Sequence, residues 1–506
     1  MDSTDNHTSV LVEESARASQ RAHGLSFGMR LAYAGGSTPD AVVNTSVNIF
    51  LLFYATTACG LAAGMAGTAI ALGLIFEAVA DPLIGLISDN LRSRWGRRLP
   101  FMIGGLPLLL ISYVLLFSLP DTADQWLLFT LVAVLSATVR TTLSLYNLPF
   151  LAAGAEMSDE PKERERIIAW RWTMAVFGSF LTVAVGMGIY FKGDSGIAQR
   201  INYAPYALTM AGIMLVGAGL AIRAVWRTLG RQHAIEARPV SASALAAELR
   251  ELLRSRSFRI LFGVAFMFAA AQGMTQTLGL HAYAFFWRLP SEQAQAITLA
   301  IAGGLLLGAP IAGPIVMRLE YRVAAMLGLS GMIVMQAVPA ALKLAGLLTL
   351  KGDALAHVLM GFAIFGGAMT TVAAIAVLTM ITNAADEHEY LFGVRREGSY
   401  FAGWTLALKA AGAFGTLLSG LALQAIDFPV QMTKDQGLDI ALPQKMTDAL
   451  GLFYGPGAAV LSLVAVGLLS MFHLSREGHR KIMIELEARR EAATGGSPVA
   501  IGAKPS

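Results

Sequence analysis

Cysteine is all but missing. Cys59 is the only one in 506 residues, which excludes an intrachain disulfide, a thiolate metal cage and a CxxC redox pair. Charge is scarce as well: Asp, Glu, Lys and Arg make up 14% of the chain against 55% hydrophobic residues. With a mean hydropathy of +0.58, the sequence is too apolar for a soluble enzyme of this length. Residues 1–24 have no basic start followed by an apolar core, so no cleavable signal peptide is expected. Polar stretches long enough to form a soluble domain are lacking, and so are the short alternating strands of a membrane barrel.

What is present is a series of about twelve apolar runs, each long enough to cross roughly 30 Å of hydrocarbon as a helix. They lie near 41–60, 64–88, 100–119, 125–153, 170–191, 205–226, 258–287, 295–316, 322–347, 353–382, 399–425 and 450–473. The expectation is an all-α integral membrane protein whose helices form two six-helix bundles, 41–226 and 258–473. A segment 1–40 precedes them, a linker 227–257 joins them and a tail 474–506 follows. Within the linker, residues 244–254 read either as an amphipathic helix on the membrane surface or as a plain tether.

Basic residues mark one side. Arg92, Arg94, Arg97 and Arg98 follow the second run, Lys162, Arg164 and Arg166 the fourth, and Arg395 and Arg396 the tenth, while the linker and the first turn after it add seven arginines from Arg227 to Arg259. By the positive-inside rule both termini are expected in the cytoplasm. The same asymmetry accounts for the net charge of +4 and a pI near 9.1 without a nucleic-acid partner.

Four ionisable residues fall inside apolar runs: Glu77, Asp81, Arg140 and Lys409. Glu77 and Asp81 stand at i and i+4, so both carboxylates share one helix face. A charge at the bilayer centre costs at least ~2.5 to 3.5 kcal/mol, so such acids line an ion path or face partners. Two acids and two bases can neutralise one another, and a proton or metal cation competing with Lys409 or Arg140 would act as a switch. Asp40, Asn44 and Asn48 fall at i, i+4 and i+8. Together with Asn147, Arg171, Gln276, Trp404 and Thr405 they offer the amides, charges and flat faces that a hydroxyl-rich ring needs. His281, isolated in its run, reads as structural. At the basic turns a close-packing glycine, Gly85, a helix-end acid, Asp89, and Arg94, Arg97 and Arg98, with Arg395 and Arg396, stand where two halves would meet and interdomain ion pairs would hold one conformation closed.

The run from Glu77 to Arg98 carries Asp81-Pro82 and then Arg94-Trp95-Gly96-Arg97-Arg98-x-Pro100. Asn147-Leu148-Pro149-Phe150 with Glu163-Arg164 follows, and then Gly393-Val394-Arg395-Arg396-Glu397-Gly398 leading to Lys409. In this order the segments resemble the melibiose permease-like glycoside-pentoside-hexuronide:cation symporters of the major facilitator superfamily. The resemblance implies the major facilitator fold and a monomeric secondary transporter, not an enzyme, in a bacterial inner membrane. The substrate would be a sugar, glycoside or uronide, with H+ or Na+ as coupling ion and no other cofactor or metal.

The family's cation site maps onto Glu77, Asp81 and Ser144, with Lys409 beside it, and its helix-five arginine onto Arg171. Asn147 replaces a family acid, and Asp40 aligns one residue out of step. Glu77 replaces the usual Asp, Ala80 removes an amide found in sodium-using relatives, and Asn383 stands where relatives often have Asp. These departures favour a proton. Arg140 either compensates for the neutral Asn147 or binds an anionic substrate through its fork. Two rival readings remain: a lysolipid carrier of the same fold, and a membrane enzyme built on Asp386, Glu387, His388 and Glu389.

Overall fold

The computed structural model describes residues 25–91, 93–158, 160–193, 195–228, 250–394 and 396–493. Arg395, expected at the gate, and residues 244–249 of the expected linker helix lie outside the described residues. Among those described, eleven helices are long and apolar enough to cross a membrane. Residues 38–58 make a twelfth crossing, wound as an α-helix over Thr38–Ser46 with π-helical turns at Val47–Leu51 and Tyr54–Ala58. The all-α membrane fold expected from the hydropathy pattern is the one observed.

In chain order the helices are α1 (Phe27–Ala34), α2 (Thr38–Ser46, continued by its π-turns), α3 (Ala63–Asn90), α4 (Leu99–Leu116), α5 (Gln125–Glu156), α6 (Pro161–Val185) and α7 (Tyr203–Arg227) in the first half. The second half has α8 (Arg256–His281), α9 (Ser291–Arg318), α10 (Tyr321–Leu344), α11 (Gly352–Phe392), α12 (Glu397–Ala425), α13 (Val430–Gln436), α14 (Gln444–Leu452), α15 (Ala458–Ser470) and α16 (Arg476–Ala493). Residue 25, the end of α7, the start of α8 and helix α16 share one side, here called the terminal face. The other side is the far face.

Several boundaries differ from the hydropathy reading, each for a local reason. The first crossing begins at Thr38 rather than 41, because Pro39 fits the opening turn of a helix, where no N–H is needed. Asp40 is therefore inside the helix and not in a preceding segment. Helix α11 runs 41 residues to Phe392, about 60 Å at 1.5 Å per residue. It carries Asp386 to Glu389 at the end of the tenth crossing. It stops at Gly393, whose φ of +75° suits a left-handed cap. The connection after the eleventh crossing holds the short helices α13 and α14.

In the first half α3 and α4 pack on α5, and α2 packs on α6 and α7; in the second, α9 and α10 pack on α11, and α8 on α12 and α15. The halves meet chiefly along α3 and α12. Toward the far face one continuous apolar core includes Phe53 and Tyr113 from the first half and Leu278, Phe285 and Leu423 from the second. Toward the terminal face the core divides, one cluster around Tyr33, Tyr146 and Phe150 in the first half and another around Phe258, Met380 and Tyr400 in the second.

Glycines along α3 and α12 follow the same gradient. A Cβ on Gly67 would meet the Gly420 backbone at 2.7 Å, and one on Gly420 would lie 2.7 Å from the Ala63 carbonyl, so only glycine admits this approach. At the other end, a Cβ on Gly85 or Gly398 would meet nothing within 4 Å. Gly85 was expected to be a close-packing glycine; here it faces open space. The two helices touch at the far face and splay apart toward the terminal face.

Candidate functional site

Helices α3 and α5 run parallel, and two contacts set their register. Gly73 lies against the Ser136 hydroxyl, and one turn later Arg140 Nη1 donates to Glu77 Oε2 at 2.9 Å. A further turn on each helix puts Asp81 level with Ser144. Pro82 has no N–H to return to the Ala78 carbonyl, which leaves one more oxygen beside the two acids.

Lys409 on α12 closes the group from the other half. Its Nζ donates to Glu77 Oε1 at 2.7 Å and also to Asp81. Glu77 and Arg140 are buried, at 8% and 2% exposure, whereas Lys409 and Asp81 are half-buried at the edge of the cleft. Within this group Asp81 Oδ1 and Arg140 Nε and Nη2 are buried with no hydrogen-bond partner among the described residues. Arg140, expected either to neutralise these acids or to hold an anionic substrate, pairs with Glu77 here. No spacing rule reveals a pair 63 positions apart in the chain.

A second polar cluster belongs to the first half alone. Asn44 Nδ2 and Asn147 Nδ2 both donate to Asp40 Oδ1, at 3.0 and 3.1 Å. Arg171 on α6 stands within electrostatic reach of Asp40 and hydrogen-bonding reach of Tyr33. The structure thus brings together Asp40, Asn44, Asn147 and Arg171 and adds Tyr33. Asn48 lies half-buried in the π-turn Val47–Leu51, whose i→i+5 winding breaks the 3.6-residue spacing that aligned it with Asn44.

Residues expected from the second half are scattered. Gln276 lines a cavity of about 110 Å³ with Gln272, Thr275, Tyr283 and Tyr454 of the second half and Ile49 of the first. Thr405 bonds to the Phe401 carbonyl of its own helix at 3.0 Å, and Trp404 packs on the apolar cluster of the second half.

At the far face several bonds join the halves. Thr56 and His281 Nε2 lie 2.9 Å apart, Gln431 donates to the Gly60 carbonyl at 2.9 Å, Gln295 donates to the Ala184 carbonyl at 3.2 Å, and Lys434 pairs with Asp121 at 2.9 Å. His281, read as structural, is fully buried between the halves.

The basic turns of the terminal face behave otherwise. Arg98 pairs with Asp89 and with Glu156 at 3.2 Å, and Arg97 with Glu156 at 2.9 Å, all within the first half. Arg94 lies over the Trp95 ring at 5.2 Å, and Arg396 pairs with Glu251 at 2.8 Å beside the second half. Among the described residues the ion pairs given for these arginines are local, because the helices that would bring interdomain partners together are splayed at this face. Glu156, which accepts from two arginines, was not singled out in the sequence. Its signal is that of an acid in the last turn of α5, a helix that ends on the same face as the basic turn.

The profile of the family described as "MFS/sugar transport protein" matches residues 32–476. An uncharacterised symporter of Synechocystis sp. is 26% identical, over 93% of this chain and 98% of its own length. The glucuronide carrier protein homolog of Escherichia coli is 25% identical, over 77% of this chain and 82% of its own. The sodium-dependent lysophosphatidylcholine symporter 1 of Gallus gallus is 28% identical over a shorter stretch, 32% of this chain and 30% of its own. In three dimensions the crystal structure of a D-xylose-proton symporter superposes with a TM-score of 0.60, over 88% of this chain and 97% of that one, at 14% identity. That last likeness is one of fold.

Proposed function

Because the chain belongs to the MFS/sugar transport family, that of the glycoside-pentoside-hexuronide:cation symporters of the major facilitator superfamily, we propose that it couples entry of a sugar, glycoside or uronide to downhill movement of a cation. It is a multi-pass membrane symporter of a small molecule, not an enzyme. The observation that carries the finer reading is Lys409 of one half neutralising Glu77 and Asp81 of the other.

In this reading the ion-free protein is held neutral at mid-membrane by two acids and two tethered bases. A cation arriving at Asp81 displaces Lys409, and the released ammonium is then available to a substrate hydroxyl or carboxylate. Asp40, Asn44, Asn147 and Arg171 hold the other side of the substrate. Binding of each partner thus favours the other, since a lone added charge in a low-dielectric site is disfavoured and a compensated one is not. A membrane potential contributes about 2.3 kcal/mol per charge per 100 mV to inward cation movement.

The coupling ion we propose is a proton. Arg140 already occupies Glu77, and Asp81 Oδ1 is buried with no hydrogen-bond partner among the described residues. A metal cation asks for a fuller oxygen shell, whereas protonating a carboxylate needs no cage. The excess of Lys and Arg on the terminal face supports a cytoplasmic location for both termini, so the present conformation is inward-open. Alternating access would then close α3 on α12 at the terminal face as the far-face bonds part.

Purified protein in liposomes, offered neutral glycosides and uronides under imposed proton or sodium gradients, tests this reading. Substrate-dependent proton movement supports it. Uptake that follows sodium and moves no protons contradicts the ion, and lysolipid movement without movement of any sugar contradicts the substrate class.

A further inference from the structure

Away from the transport path, helix α1 lies along the terminal-face end of α7, and a groove of about 320 Å³ opens between them. Its walls are Ser26, Gly28, Met29 and Ala32 from α1 and Leu220, Arg223, Ala224 and Arg227 from α7. Three features define its chemistry.

The first is unspent charge. Arg223 and Arg227 stand one turn apart on the same face of α7 and are exposed, and neither forms an ion pair or hydrogen bond with a described residue. Neighbouring arginines are engaged: Arg30 pairs with the buried Glu163 at 3.2 Å, and Arg97 and Arg98 pair with Glu156. The second is depth. Trp226 sits between the two arginines in sequence and is 48% exposed, with its ring 6.0 Å from that of Trp95. Tryptophans collect at the level of lipid head groups. Phe27, Leu31 and Leu220 are exposed around the groove, which suits acyl chains and not water. The third is room. A Cβ on Gly28 would meet nothing within 4 Å, so the small α1 residues leave the floor of the groove open.

We infer that this groove binds the head group of an anionic phospholipid. Its phosphate would be held by the Arg223 and Arg227 forks and its glycerol end would lie over Gly28 and Ala32. Guanidinium forks match phosphate oxygens bidentately, and basic pockets between membrane helices at the cytoplasmic level take such head groups. An occupant there would tie α1 to α7 and brace the start of α2, which carries Asp40. The inference stands apart from the identity of substrate and ion.

The test is native mass spectrometry of the full-length protein in mild detergent with phosphatidylglycerol or phosphatidylcholine, in the wild type, the Arg223→Gln/Arg227→Gln double variant and Gly28→Leu. At roughly 1 kcal/mol per basic residue at a membrane surface, losing both arginines should cut retention of phosphatidylglycerol about 30-fold, or ~2 kcal/mol at 1.4 kcal/mol per tenfold. Phosphatidylcholine retention should stay unchanged. Gly28→Leu keeps the charge and should lower phosphatidylglycerol retention by filling the floor. Equal retention of phosphatidylglycerol by the wild type and both variants would overturn the assignment. So would displacement of the bound lipid by an equal concentration of inorganic phosphate, which would mark the site as one for a free anion.

Discussion

Lys409 Nζ reaches across the interface between the halves to Glu77 Oε1 at 2.7 Å while also holding Asp81, so one base of α12 neutralises two acids of α3. Replacing it by Gln leaves two carboxylates one turn apart with only Arg140 nearby. We expect Lys409→Gln to lower substrate exchange at least about tenfold, and Asp81→Asn added to it to recover part of the loss. A double-mutant cycle on exchange rates should return a coupling within the ~0.5 to 3 kcal/mol typical of contacting residues. Strict additivity would contradict the contact.

The Arg140 pair is deeper and belongs to one half. Breaking a buried ion pair from one side leaves an uncompensated charge, at about 3 to 5 kcal/mol. Arg140→Gln should therefore depress the thermal midpoint of the purified protein strongly. Arg140→Gln combined with Glu77→Gln should depress it less, because the amides leave no buried charge on that pair. The check is a thermal unfolding series in detergent, and a double variant worse than the single one would contradict the pairing.

Close approach at Gly67 and Gly420 holds the far face shut. Gly420→Val places methyl groups where the Ala63 carbonyl and Gly67 now lie, and the expected result is a shift toward a conformation open at the far face. Spin labels at Ile201 and Leu347, both exposed and on opposite halves at that face, should report a longer distance in the variant. An unchanged distance distribution in a folded variant would show that this contact does not set the equilibrium.

The far-face clasp of Asp121 lies outside the membrane-spanning helices. The hydrogen bond and charge of Lys434, with Arg200 at 3.6 Å, hold the Asp121 carboxyl below the usual carboxylate range. A carboxyl shifted down contributes fully above its ordinary value of about 3.9, and the contribution is lost only as pH falls through the lowered value. The clasp should thus be insensitive to pH from about 5 to 8. Asp121→Asn and Lys434→Ala should each loosen the far face to the same small extent, and together no further. Distance measurements between the same labelled sites would show this, and additive effects would contradict a shared clasp.

Much of the architecture was legible in the hydropathy pattern, because a lipid environment forces each long apolar run to close its own backbone bonds as a helix. Glu77 and Asp81 could be found because an i, i+4 pair of acids in an apolar run is rare and costly. Arg140 and Lys409 stood out by the same cost, as bases inside apolar runs, but which acid each reaches is not written in the spacing. Both come from helices that meet α3 only in the fold, and Lys409 is 332 positions from Glu77. Asn48 was misaligned because a π-turn gives no signal in residue spacing. The gate arginines are expected in interdomain pairs, but which pairs form depends on the conformation adopted, and here Arg97, Arg98 and Arg396 pair with Asp89, Glu156 or Glu251. The role of the Gly67 and Gly420 contact was equally hidden, since nothing local separates a glycine that faces a helix from one, such as Gly85, that faces a cleft.

The central claim is that Asp81 takes the coupling proton and Lys409 transmits its arrival to the substrate. The most direct measurement is on Asp81→Asn in liposomes, comparing gradient-free substrate exchange with accumulation driven by an imposed proton gradient. The account predicts that exchange persists, because the amide resembles the proton-loaded carboxyl, while proton-driven accumulation disappears. Accumulation that survives in Asp81→Asn, with protons still moving alongside substrate, would contradict it.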